Sequence, residues 1–276
     1  MLYKLKLYNI MYLVIVMINI EKASKAFKEY VKPYDINNPK IALKIKHTFK
    51  TVEVAEKITK ELGLNHEEIL LSKLIALLHD IGRFEQLRLY NTFVDRHSVD
   101  HADLGIKILF EHGLIRNFII DTKYDDIIYK AIKNHNKFKI EDGLNKEELL
   151  QAKIIRDADK TDIYRVLLED IEENKEVLYN YKEVSKQIVS SEVMSDFEKY
   201  KQTNRNKLTK DIDNYINCIS FIFDYNFIPG LKIIKENQYI EKIMQPICIC
   251  EQTKNQMEKI IKVANTYIDE RIKKGC

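Results

Sequence analysis

The stretch from Ile69 to Gln86, ILLSKLIALLHDIGRFEQ, constrains the fold more than any other. Leu70, Leu71, Leu74, Ile75, Leu77 and Leu78 repeat at helical spacing, and the stripe they form is too wide for a surface helix. The pattern therefore predicts a core helix. It runs into His79-Asp80, an imidazole and a carboxylate side by side at the buried end, and Ile81-Gly82 predicts a break after it. A carboxylate does not sit against a core unless a cation, a hydrogen-bond network or a metal ion offsets its desolvation. The expected offset is a metal ion, whose further ligands must come from elsewhere in the chain.

The composition favours long helices around that stretch. Only 7 Gly and 4 Pro occur in 276 residues, while 45% hydrophobic residues suffice for a sizeable core. A net charge of +3 is too balanced to indicate a nucleic-acid partner. Cys248 and Cys250 are one residue apart, too close for a zinc pair, and with Cys218 and Cys276 they read as thiols of a reducing, cytoplasmic setting. The apolar run Met11–Ile20 falls short of the ~20 residues of a spanning helix, so no membrane partner is expected. Met11 and Met17 offer alternative starts, and residues 1–16 read as a non-essential extension.

Taken in order, the chain places several polar residues on apolar faces. A helix from Ile41 to about Leu62 carries Leu43, His47, Thr51, Val54 and Ile58 on one stripe. Asn65 is set to cap the helix that ends at His79-Asp80. Ile81 to Ser98 reads as a long irregular stretch, in which Arg88, Asp95 and His97 are taken as solvated. Helices from about Asp100 to Gly113 and from Tyr124 to Lys133 bring His101 and His135, whereas His66 and His112 read as surface residues. A helix from Glu147 to about Glu173 embeds Asp159 between Ile155 and Ile163, with an ion pair to Arg156 or Lys160 as the plain structural alternative. Further helices are expected at Tyr181–Val189, Glu192–Tyr200, Lys207–Tyr225 and Gln252–Lys273, with breaks at Asn226–Gly230 and Gln245–Ile247. The expected fold is all-α: an extension over 1–20, a metal-binding helical domain over 21–174, and a C-terminal helical elaboration over 175–276 packed on the same domain.

His47, His79, Asp80, His101, His135 and Asp159 form a set of four imidazoles and two carboxylates. Nitrogen with carboxylate oxygen suits Mn, Fe, Ni, Co or Zn, and tolerates Mg when oxygens dominate. The order H…HD…D, with HDIGR at its centre and RDADKTD downstream, resembles the HD-domain superfamily of metal-dependent phosphohydrolases over about Ile41–Val166. The resemblance implies a helical bundle whose metal ligands are His47, His79, Asp80 and Asp159. His101 in DHADLG and His135 in AIKNHNK are similar to the extra ligands of its two-metal branch, in which Asp80 would bridge. That branch includes HD-GYP phosphodiesterases, from whose pattern this chain departs at Arg83, at Asn134 and in lacking GYP after Gly143.

Such a ligand set implies a hydrolase. One or two divalent ions would arm a water against a phosphate ester, with a nucleotide or related small molecule as substrate. Arg83 and Lys160 are the candidates for gripping phosphate, Asp80 is central, Glu85 is a candidate for orienting the water, and Asp162 for accepting a bond from a ligand His. The alternative is a non-catalytic helical module that binds a metal or nucleotide. The sequence leaves the oligomeric state open.

Overall fold

The computed structural model describes residues 18–245 and 251–275. The 1–16 extension lies outside them, as do Cys248, Cys250, Cys276 and most of the expected break at Gln245–Ile247. The chain divides into two compact units, residues 1–155 and 156–276, and the division falls inside one long helix. No strand occurs among the described residues, so the fold is all-α. None of their helices is long and apolar enough to cross a membrane.

In the first unit, local chemistry sets each helix start. Asn19 caps α1 (Ile20–Val31), and Asn38 caps α2 (Pro39–Glu61), with Pro39 in the first turn where it sacrifices no hydrogen bond. Asn65 and Glu68 close a reciprocal capping box on α3 (His66–Leu78). The apolar stripe of α3 is the core that the sequence predicts: Leu74, Ile75 and Leu78 are fully buried, each contributing ~2 kcal/mol. Phe27 of α1 meets Phe49 and Phe84 edge to face, at 5.6 and 5.7 Å between ring centres. These contacts tie α1 to the helices on either side of α3 in sequence.

The stretch after Asp80 corrects the sequence reading. Instead of a long loop, Ile81–Tyr90 forms a helix, α4, and only the ten or so residues after it are irregular, with a short 3-10 turn at Asp95–His97. Gly82 does not end a helix; it lets two backbones meet. A β-carbon there would lie 2.2 Å from the His101 carbonyl oxygen and 2.6 Å from the Gly105 nitrogen. The glycine of HDIG and the glycine of DHADLG are therefore one crossing point between α4 and α5 (His101–Ile106), and that crossing brings His101 beside Asp80. α5 continues as a π-helical turn, Lys107–Glu111, and α6 (Asp125–Asn134) follows. The first part of α7 (Lys146–Glu172) closes the unit, where Ser72 Oγ donates to Gln151 Oε1 at 2.7 Å.

The second unit takes up the rest of α7, then α8 (Tyr181–Val184), α9 (Ser191–Glu198), α10 (Asp211–Ile219), α11 (Ile228–Glu236), α12 (Tyr239–Met244) and α13 (Glu251–Lys274). Ile212, Tyr215, Ile216 and Ile219 face its core as expected. Tyr164 Oη donates to the Ile219 carbonyl at 2.7 Å, and Tyr215 Oη to the Ile243 carbonyl at 2.7 Å. Two helices expected from the sequence are shorter here. Tyr181–Val189 is helical only to Val184, and Lys207–Tyr225 only over α10, ending in a 3-10 turn at Ser220–Asp224. The expected break at Asn226–Gly230 contains the start of α11, because Pro229 sits in the first turn of that helix. Cys218 is half-buried, with the Tyr179 hydroxyl 3.6 Å from its sulfur.

The Gly82–Gly105 crossing generates a prediction. Gly82→Ala forces backbone against backbone, so it is expected to destabilise the chain by about 3 kcal/mol or more, above a usual overpacked core site. Thermal melting reads this. A variant melting within a degree of the parent would mean that the crossing is not tight.

Candidate metal centre

Asp80 sits in the turn between α3 and α4, 3% exposed, and its two oxygens face different pairs of imidazoles. Oδ2 lies 3.6 Å from His47 Nε2 and 3.7 Å from His79 Nε2. Oδ1 lies 3.4 Å from His101 Nε2 and 3.7 Å from His135 Nε2. The candidate donors of His47, His79 and Asp80 lie within 4.8 Å of one another, and so do those of Asp80, His101 and His135. The rings form a chain of edge-on neighbours: His47 on His79 at 5.4 Å, His79 on His135 at 5.2 Å, and His135 on His101 at 4.9 Å.

Each ring's orientation follows from where its other nitrogen goes. His79 is the C-cap of α3 and His135 the C-cap of α6, where the last carbonyls lack helical partners. His79 Nδ1 bonds the Ala76 carbonyl at 2.8 Å, and His135 Nδ1 bonds the Ile132 carbonyl at 2.6 Å. A carbonyl only accepts, so the proton is on Nδ1 and the Nε2 lone pair faces Asp80. His101 is held in the same tautomer by a carboxylate, with Nδ1 at 2.8 Å from Asp95 Oδ2. His101 Nε2 and His135 Nε2 stand 3.0 Å apart. Lone pairs converging on carboxylate oxygens repel unless a cation lies among them. A nitrogen-and-carboxylate donor set of this kind fits a divalent transition metal.

Asp95, read from sequence as a solvated loop residue, is a structural partner of the site instead. Its Oδ1 takes hydrogen bonds from Arg83 Nη1 and Gln86 Nε2, each at 2.9 Å. Arg83 Nη1 also donates to the Phe93 carbonyl at 2.6 Å, which pins the loop. Asp100 caps α5 and accepts from Asn136 Nδ2 and Lys137 Nζ, both at 2.9 Å, tying the start of α5 to the segment just after His135. Lys44 is a second residue that the sequence does not single out. It lies on α2 one turn before His47, and its Nζ stands 2.6 Å from Asp80 Oδ2.

The other polar residues named from the sequence have the following surroundings. Glu85 accepts from Arg88 and from the Tyr34 hydroxyl, which makes it a surface ion pair and not a water-orienting base beside Asp80. Arg88, His66, His97 and His112 are exposed, as the sequence indicated. Asp159, Lys160 and Asp162 belong to the second unit. Asp159 is half-buried, one helical turn from Ile155 and Ile163 on α7. Asp162 accepts from Arg165 Nε and Nη2 through its two oxygens, at 2.5 and 2.6 Å, an ion pair along its own helix. Lys160 and Arg156 both pair with Asp224, the latter at 2.5 Å. Asp157 accepts from the Asn226 and Phe227 backbone nitrogens at 3.0 and 2.8 Å and anchors the loop before α11.

Burial and charge shift these groups in a consistent direction. Burial alone would raise Asp80, but the Lys44 charge first, then His79, His135 and Arg83, hold it well below the usual carboxylate range. Burial likewise opposes the ionised form of Asp95, and its bond to His101 and the charges around it bring it below that range. Burial first, then the Arg83 charge, push the His101 imidazole down to about 3. Burial pushes the Asp157 carboxyl up to about 6.

Residues 45–164 match the family model of the HD domain. That segment contains His47, His79, Asp80, His101, His135 and Asp159, and the clustered donors in it are consistent with the metal site of an HD domain, an all-α fold. No match to the chain was found among curated proteins or among solved structures.

The burial of these groups makes the metal-free protein sensitive to pH. Above about pH 6.5 a histidine is neutral both folded and unfolded, so His101 costs nothing. As pH falls from there toward 3, the unfolded chain binds a proton at His101 that the folded chain refuses, and stability drops. Below about pH 4 the drop steepens, since Asp80 and Asp95 stay ionised when folded and protonate when unfolded. Melting of chelator-treated protein between pH 8 and 4 is expected to show a fall of several degrees, and His101→Asn to flatten its upper limb. A profile flat from 8 to 4 would contradict the burial of a neutral His101.

Proposed function

We propose that this chain is a phosphohydrolase that uses one or two divalent ions to cleave a small phosphate ester, with a nucleotide as the substrate class. The observation that carries the reading is the orientation of three imidazoles: His79, His101 and His135 each turn an Nε2 lone pair toward the two oxygens of one buried carboxylate. In this reading His47, His79 and Asp80 hold one ion, and Asp80, His101 and His135 hold a second. Asp159 joins the first set on the strength of the HD pattern, and Lys160 beside it in sequence is a candidate for a phosphate oxygen. A divalent ion held there would make a bound water acidic enough to attack phosphorus near neutral pH, and would offset charge on the phosphate.

The chain's own residues have separate tasks. Asp80 spans the two sets through its two oxygens. Asp95 fixes the His101 tautomer, and Arg83 braces Asp95 through Nη1 while keeping its Nε 3.6 Å from Asp80 Oδ1. The Ala76 and Ile132 carbonyls lock His79 and His135. Locked ligands lose no freedom when they bind an ion, which favours both affinity and one geometry.

The test combines metal content with turnover. Wild-type protein is expected to bind Mn2+ or a similar ion and to release phosphate or a nucleoside monophosphate from at least one member of a panel of mono-, di-, tri- and cyclic nucleotides. Asp80→Ala and Asp159→Ala are expected to lose turnover by about a thousandfold or more, with the helical circular-dichroism signal intact. Full turnover in Asp80→Ala would end this reading. Metal binding without turnover on any phosphoester would leave a binding module.

A further inference from the structure

We propose that Lys44 is an exchangeable cation built into the metal centre: its ammonium neutralises Asp80 until a metal ion arrives, and then gives up Oδ2 to it. The proposal rests on the reading of His47, His79 and Asp80 as a metal set. Lys44 Nζ lies 2.6 Å from the same oxygen that faces His47 Nε2 at 3.6 Å and His79 Nε2 at 3.7 Å. Its side chain is only 15% exposed, and it reaches the site from the face of α2 that carries His47, three residues on. The Phe93 ring stands against it at 5.6 Å and against the Arg83 guanidinium at 5.7 Å. Lys44 precedes the segment that matches the HD model, so nothing in that match assigns it a role.

The physics is a competition for one oxygen. A desolvated carboxylate with no cation is costly, so Asp80 needs the ammonium wherever no metal is bound. A divalent ion coordinated by Oδ2 would stand about 4 Å from that ammonium, and at an effective dielectric of about 20 the two repel strongly. Both cannot keep the oxygen at full strength. The lysine is the mobile partner, a point charge on a flexible four-carbon stem, whereas His79 is locked to a backbone carbonyl. Once released, the ammonium has an anion to meet, since a phosphate held at the same ion brings oxygens into its reach. Lys44 therefore lowers metal affinity, protects the metal-free fold and becomes available to substrate in one movement.

The experiment uses the full chain stripped with chelator, Mn2+ alone as the probe, and the variants K44M and K44R. Stripped K44M is expected to melt several degrees below wild type, because Asp80 loses its counter-charge. Titrated by calorimetry, it is expected to bind Mn2+ about tenfold tighter, because the competing charge is gone. K44R keeps the charge and should stay near wild type in both measurements. If stripped K44M does not fold, recovery of its helical signal on adding Mn2+ supports the exchange, and no recovery counts against it. K44M that binds Mn2+ no tighter than wild type, or K44R that behaves as K44M does, overturns the exchange while leaving the hydrolase reading in place. A folded wild type that binds no divalent ion overturns both.

Discussion

The structure depends on how its buried carboxylates are neutralised, and Asp80 is handled unlike Asp157, Asp170 and Asp213. Asp157, Asp170 and Asp213 are all buried, and each is satisfied by N–H or O–H donors from a neighbouring loop. Asp170 accepts from the Val177 nitrogen and the Tyr181 hydroxyl, and Asp213 from the Ser190 nitrogen and hydroxyl. These acids fasten loops onto helices. Asp80 is different. Its neighbours are a lysine ammonium, an arginine and four imidazole nitrogens, and three of those imidazoles present lone pairs and not protons. A carboxylate in such company makes physical sense as part of a cation site.

Helix ends make this arrangement possible. His79 and His135 occupy the C-caps of α3 and α6, so the unsatisfied carbonyls of each last turn are within reach of Nδ1. One hydrogen bond then does two things: it satisfies a helix end and it fixes a tautomer. The negative ends of two helix dipoles also lie at the site, which favours a cation there. His101 approaches from the opposite polarity, in the first turn of α5, where no carbonyl is spare. It needs Asp95 for the same purpose, and Asp95 in turn needs Arg83 and Gln86. The extra machinery around His101 is the consequence of putting an imidazole at a helix start.

The same logic explains what could be read from the sequence. His79-Asp80 stands out because an unbroken apolar stripe leads into it, and burial of a charge is visible wherever periodicity is strong. His47, His101 and His135 follow from their places on predicted helices and from the HD pattern. Asp95 is misread because it lies in a polar stretch, RHSVDHADL after VD, with no periodicity to mark it as buried. Lys44 is invisible for a related reason: an amphipathic helix carries many lysines, and only tertiary contact distinguishes the one that reaches inward. Gly82 looks like a stop signal because glycine serves both as a helix end and as a crossing point, and the choice is made by a partner, Gly105, more than twenty residues away. Local chemistry locates the charged centre; the braces that hold it are long-range and leave no local trace.

Charge balance also bears on what the site accepts. Asp80 and Asp95 contribute two negative charges, and Lys44 and Arg83 contribute two positive ones, all within one connected set of contacts. The imidazole of His101 is pushed toward the neutral form by burial, so it adds little. Within these four residues the charges therefore cancel, before any contribution from Asp159. A divalent ion then leaves a surplus of about two positive charges in a poorly solvated place, and such a surplus is stable only with an anion beside it. A phosphate ester supplies that charge, together with oxygens for both the metal and a lysine. In the proposed reading a neutral substrate would leave that excess uncompensated, whereas an anionic one would offset it.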